Sequence, residues 1–164
     1  MRGHGFEEER PTLPGRTSGR PRILLAEDDD ELRELLVALL VRDGYEVISA
    51  RSGEDAVRLL EELSIRDRST SAVDLVLTDV CMSGMSGMKL GEMIRAVHWP
   101  IPVIFMTAYP EASVHREAER LQAALLPKPF KSEFLRRIVL SMLAAHVRER
   151  HVLERPDEGN GVTH

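Results

Sequence analysis

The chain has a single cysteine, Cys81, which excludes an internal disulfide framework and any multi-cysteine zinc site. It has no apolar run near the roughly 20 residues that a membrane-spanning helix needs; its longest runs are strand-sized. The opening stretch, MRGHGFEEERPTLPGRTSGRPR, lacks the apolar core of a secretory signal. Excess positive charge is missing too, with 22 Lys and Arg against 27 Asp and Glu, a net charge of -5. That balance gives no global field for nucleic acid or an anionic membrane. The six histidines show no paired metal-ligand spacing, and no repeat or low-complexity tract is visible. These absences predict a cytoplasmic protein that touches neither nucleic acid nor membrane directly. What is present is an ordinary globular composition, 43% hydrophobic and 30% charged, in 164 residues, enough for one domain whose core needs no staples.

Residues 1–21 are rich in Gly, Pro, Arg and Glu and read as a disordered tail, because they bury too little to offset the entropy of ordering. Ile23 to Ala26 is a continuous apolar run, the mark of a strand buried on both faces, and it ends in five consecutive acids, Glu27 to Glu31. A helix follows with Leu32, Leu35, Leu36, Leu39 and Leu40 on one face. Asp29, Asp30 and Glu31 suit its first turn, where acids complement the helix dipole; Glu27 and Asp28 come too early for that role. Tyr45 to Ala50 alternates as a second strand, and Ser52-Gly53-Glu54-Asp55 opens a second helix with Ala56, Leu59, Leu60 and Leu63 inside. A polar connector, residues 65–72, precedes a third strand, Leu75 to Thr78, that delivers Asp79 to a glycine-punctuated loop. Ser86 caps a third helix carrying Leu90, Met93, Ile94 and Val97, and Ile101 to Met106 is the fourth strand. The fourth helix, from Pro110 to about Gln122, has a thin apolar face of Val114, Ala118 and Leu121, which predicts weak anchoring. Ala123 to Leu126 is a fifth strand, and a long last helix from Lys131 shows Phe134, Leu135, Ile138, Met142 and Ala145.

Five strands alternating with five helices predict an α/β doubly wound parallel sheet with helices on both faces. In such sheets function gathers at the carboxyl ends of the strands. The residues placed there are Glu27, Asp28, Asp79, Thr107 and Lys128. Asp79 alone reads equally well as a turn-forming Asp. Three carboxylates on one rim repel one another unless a cation offsets them, and all-oxygen ligation suits Mg2+. A carboxylate attacking phosphorus gives an aspartyl phosphate, and a hydroxyl from Thr107 and an ammonium from Lys128 would steady the charge that develops.

These residues resemble a known family, the receiver domains of two-component response regulators of the chemotaxis-regulator type. The resemblance runs over about residues 22–147 and rests on Glu27-Asp28, on Asp79 with the Met82 to Gly87 loop, on Thr107-Ala108 and on Lys128-Pro129-Phe130. It implies a flavodoxin-like sheet of order 2-1-3-4-5; beyond it, residues 148–164 read from the sequence as a helix extension and flexible tail. It implies Asp79 as phosphoacceptor, Asp28 as a direct Mg2+ ligand, Glu27 acting largely through water, the Cys81 carbonyl as a further ligand, and a cis Lys128-Pro129 bond. Thr107 would move as the switch and Lys128 would pair with a phosphate oxygen. The implied partners are a sensor histidine kinase or phosphotransfer protein, and a downstream protein or a second copy meeting the fourth helix, fifth strand and fifth helix. Ser83 stands where the family usually has proline, Ser86 where it often has aspartate, and Leu125 where an aromatic usually swings with the threonine.

Simpler readings stand beside these. Cys81 is a packing residue, the histidines lie on the surface, Met82, Met85 and Met88 pack the loop, and the arginines of the last helix are its solvated face. The expected function is a stand-alone receiver, since few residues follow the last helix. Two alternatives stay open: a phosphorylation-independent adaptor, favoured by Leu125, and an aspartyl-phosphate hydrolase, whose usual second acid two residues after the nucleophile is here Cys81.

Overall fold

A computed structural model describes residues 19–66 and 72–153. The expected tails fall largely outside these residues, as do positions 67–71 of the expected connector. The elements alternate throughout: β1 (Arg22–Ala26), α1 (Asp30–Arg42), β2 (Glu46–Ala50), α2 (Gly53–Arg66), β3 (Leu75–Asp79), α3 (Gly87–Ala96), β4 (Val103–Thr107), α4 (Ala112–Arg120), β5 (Ala124–Pro127) and α5 (Ser132–Leu153). The strands form one parallel sheet in the order β2-β1-β3-β4-β5. This is the architecture expected from the sequence. The polar connector is shorter than expected, because α2 continues through Ile65 to Arg66.

The apolar runs of β1, β3 and β4 are needed because helices cover both faces of these strands. Side chains alternate across the sheet, so Ile23, Leu25, Leu75, Leu77, Ile104 and Met106 face one layer and Leu24, Ala26, Val76, Val103 and Phe105 the other. Leu36 and Leu40 of α1 and Leu135, Val139 and Leu143 of α5 close the first layer. Ala56 and Leu60 of α2, Leu90 and Ile94 of α3, and Ala118 of α4 close the second. Each fully buried Leu, Ile or Val stabilises by about 1.5–3 kcal/mol, so the difference between helices is large. α5 buries three such side chains, whereas α4 itself buries only Ala118, with Leu121 following at its C-cap. The thin apolar face expected of α4 is therefore observed.

The helical faces are narrower than the sequence pattern suggests. Leu35 is 57% exposed, Val97 55% and Phe134 54%, although each was expected inside. A surface helix buries a stripe about 100° wide, and these residues fall beside it. His146 departs in the other direction: it is buried, three residues after Leu143 on the inner face of α5. Trp99 and Leu125 are partly buried against the α2, α3 and α4 layer.

Candidate functional site

The site forms because β1, β3, β4 and β5 run in the same direction and all end on one rim. Glu27 follows β1, Asp79 closes β3, Thr107 closes β4 and Lys128 follows β5. The register places Asp79 opposite Met106, and Thr107 opposite Pro127, so the rim residues fall side by side. The rim is sewn by backbone bonds: Val80 N donates to Met106 O at 2.9 Å and Lys128 N to Thr107 O at 2.7 Å. The Lys128-Pro129 peptide is cis.

Glu27 and Asp79 are buried, while Asp28 is exposed at the mouth. Carboxylate oxygens of Glu27, Asp28 and Asp79 all lie within 4.8 Å of one another, the group of possible metal ligands found among the described residues. Lys128 reaches into it, with Nζ donating to Asp79 Oδ2 and, at 3.1 Å, to Glu27 Oε2. Cys81 N donates to Asp79 Oδ1 at 2.9 Å. Thr107 is buried, and its hydroxyl oxygen accepts from Tyr109 N at 3.0 Å. Cys81 is exposed.

The electrostatics are those of an unbalanced cluster. Burial, with the Asp79 charge adding to it, pushes the Glu27 carboxyl up to about 7, although Asp29 N–H and Lys128 act against the rise. Burial alone would lower the Lys128 ammonium, but its hydrogen bonds to Asp79 and Glu27 outweigh that, and it is held above its ordinary value. One ammonium faces three carboxylates, so the cluster invites a further cation. Compact, hard oxygen donors that leave room for water and phosphate oxygens fit Mg2+.

Three features around the cluster gave no clear signal in the sequence. Arg33 is buried on the inner face of α1, with one guanidinium nitrogen donating to Glu27 O at 2.9 Å and another to the Asp30 carboxylate. It stands three and seven residues before Leu36 and Leu40, so a charge in a core position was the available clue. Glu54, in the first turn of α2, accepts from Met85 N at 2.8 Å, and bonds from its own N–H and that of Met85 hold its carboxyl below the usual range. Nothing in its sequence position separates it from an ordinary acid at a helix start. Gly87 admits no side chain, since a Cβ there would lie 2.0 Å from Asp79 O.

Comparison with known proteins agrees with this geometry. A family model described as response regulator receiver domain matches residues 23–140. The chain is 34% identical over 125 residues to transcriptional regulatory protein YrkP of Bacillus subtilis (strain 168), covering 74% of this chain and 49% of that protein. It is 30% identical over 125 residues to response regulator receiver protein CpdR of Brucella abortus (strain 2308), covering 76% of this chain and 98% of that protein. Against several other curated relatives the chain spans about a quarter of their length or less. Among solved structures it is similar to response regulator protein TrrA of Thermotoga maritima in complex with Mg(2+)-BeF, with 28% identity, a TM-score of 0.64, and coverage of 74% of this chain and 98% of that one. Among the described residues no helix is long and apolar enough to cross a membrane. With the family model spanning the whole sheet and the acidic rim lying where the strands end, the chain belongs to the response regulator receiver domain family, the signalling modules of two-component systems.

Proposed function

We propose that the chain accepts a phosphoryl group on Asp79 from a histidine kinase or phosphotransfer protein and so switches a protein-interaction surface. The observation that carries this reading is the buried Asp79 carboxylate, flanked by Glu27, Asp28 and the Lys128 ammonium at the carboxyl end of a parallel sheet. Glu27, Asp28, Asp79 and the backbone of Cys81 would hold Mg2+. The ion, when bound, would supply charge neutralisation for phosphate oxygens.

The chain's own groups account for the rest. An Asp79 oxygen attacks phosphorus as the phosphorus–nitrogen bond of a phosphohistidine protonated on its other ring nitrogen breaks, leaving an aspartyl phosphate here and, with that proton retained, a neutral imidazole on the donor. Asp79 Oδ1 is oriented by Cys81 N–H and Oδ2 by Lys128, which is then placed to pair with a phosphate oxygen. Thr107, one residue beyond the β4 partner of Asp79, has a hydroxyl that would turn toward the new phosphoryl group. Its hydrogen bond from Tyr109 N would then be remade, which shifts the start of the α4 segment. Because α4 is held chiefly by Ala118 and Leu121, a modest change in contacts can bias it. The face built from α4, β5 and α5 would meet a downstream protein or a second copy.

The receiver unit is taken as residues 22–147, working in the cytoplasm. A stand-alone receiver is the reading put forward here, supported by the match to response regulator receiver protein CpdR over 98% of that protein's length. Its catalysis would be limited to its own phosphorylation and dephosphorylation. The test is incubation with a small acyl phosphate and Mg2+. Wild type should gain acid-labile, hydroxylamine-sensitive phosphate and Asp79→Asn none; equal labelling, or none in wild type, refutes the assignment.

A further inference from the structure

The loop between Asp79 and α3 is tied down by carboxylates from two other elements. Asp28, after β1, accepts from Ser83 N at 3.2 Å. Glu54, at the start of α2, accepts from Met85 N at 2.8 Å. Between these two tethers Gly84 has a φ of 79° and passes so close to Glu54 that a Cβ there would lie 2.7 Å from Oε1. Nearer the sheet, the same loop presents Cys81 N to Asp79 Oδ1. The loop is therefore strung between the acid cluster and one acid that lies outside it.

Resting on the phosphoacceptor reading above, we propose that Glu54 is a positioning residue for the metal and phosphoryl site. Its carboxylate fixes the loop conformation that aims Cys81 at Asp79. The two tethers differ in what a cation does to them. Asp28 belongs to the cluster, so its oxygens are the ones a metal draws on. Glu54 lies outside the cluster, with its carboxylate on the loop amide of Met85. A loop whose backbone donors are met by side chains rather than by a ladder opens locally at low cost, so losing one acceptor loosens the whole turn. The simpler role for Glu54, an acid that complements the dipole of α2, would affect stability and nothing at the cluster.

The test compares Mg2+ affinity by titration calorimetry for the full chain and its Glu54→Ala and Glu54→Gln variants. Metal-free thermal unfolding and amide hydrogen exchange at Met85 and Cys81 are measured alongside. Glu54→Ala should weaken Mg2+ binding about fivefold, the size of one net hydrogen bond. It should also speed exchange at both amides and leave the unfolding midpoint nearly in place. Glu54→Gln, whose amide oxygen can still accept from Met85 N, should recover most of the affinity. Gly84→Ala, whose methyl would displace the Glu54 carboxylate, should reproduce the loss. Unchanged affinity in Glu54→Ala overturns the proposal, and so does Glu54→Gln binding as weakly as Glu54→Ala. Such a result beside normal labelling of Asp79 leaves the phosphoacceptor reading standing. Wild type with no Mg2+ binding that Asp28→Asn removes overturns both.

Discussion

The two rims of the sheet use similar side chains to opposite ends. At the amino rim, Arg22 Nε donates to Glu46 Oε1 at 2.8 Å and another guanidinium nitrogen donates to Ala72 O at 3.0 Å. Arg22 N meets Asp74 Oδ2 at 2.6 Å. Nearby, Arg95 donates to Leu121 O, Trp99 O and Ile101 O, closing the ends of α3 and α4. Here the Arg22 guanidinium meets a carboxylate and a carbonyl, Arg95 meets three carbonyls and the buried Asp74 accepts from a backbone N–H, so these charges serve the fold. At the carboxyl rim three carboxylates cluster about one ammonium, which bonds two of them, and burial pushes Glu27 up to about 7. Buried charge alone does not distinguish a site from a staple. The imbalance does, because an unneutralised cluster is costly to keep and is eased by a ligand of opposite charge.

Several measurements would break or sharpen this contrast. The largest effect is expected at Gly87→Ala, whose methyl must displace Asp79 O from 2.0 Å. Stability should fall by about 3 kcal/mol in urea unfolding, with Mg2+ affinity falling too, because the displaced strand end carries Asp79, one of the three clustered carboxylates. Next, Mg2+ at about 100 times its Kd should stabilise wild type by about 2.7 kcal/mol. Asp28→Asn should lose most of that gain and Arg22→Ala none of it. If Arg22→Ala loses the gain as well, the two rims are not separate in function.

Third, the metal-free protein should depend on pH through Glu27. A carboxyl raised from 4.5 to about 7 on folding binds an extra proton in the folded state, so stability falls as pH rises across that window and levels off above it. Glu27→Gln should therefore stabilise the metal-free protein at pH 8 by on the order of 2 kcal/mol and by little at pH 4.5. A flat difference across that range would count against the imbalance. The smallest effect is expected from Arg22→Ala, about 1 kcal/mol at any pH between 5 and 8 and with or without Mg2+, because it removes hydrogen bonds that serve the fold.

Much of the carboxyl rim was legible because a parallel sheet announces its strands as continuous apolar runs. Whatever polar residue ends such a run must lie on the rim, which is how Asp79 and Lys128 could be placed from spacing alone. Helix faces were less legible. Leu35 and Phe134 fit the apolar period yet are exposed, since a stripe of three or four leucines fills the available contact and leaves the next one outside. His146 reads as a surface residue and is buried, because its place on α5 depends on where that helix crosses the sheet. The core position of Arg33 showed in the period of α1 but its bond to Glu27 O did not, and the bond of Glu54 to Met85 N left no periodic trace at all.

The sequence by itself determined the order of elements, the parallel sheet and the identity of the residues on its carboxyl rim, because local hydrophobic period and strand termination are written in consecutive residues. Only the tertiary structure decided that Glu27, Asp28 and Asp79 come within 4.8 Å of one another, that Lys128 divides itself between two of them, and that Glu54 grips the loop from α2. Those distances arise from the packing of segments 31 to 101 positions apart, and no local pattern carries them.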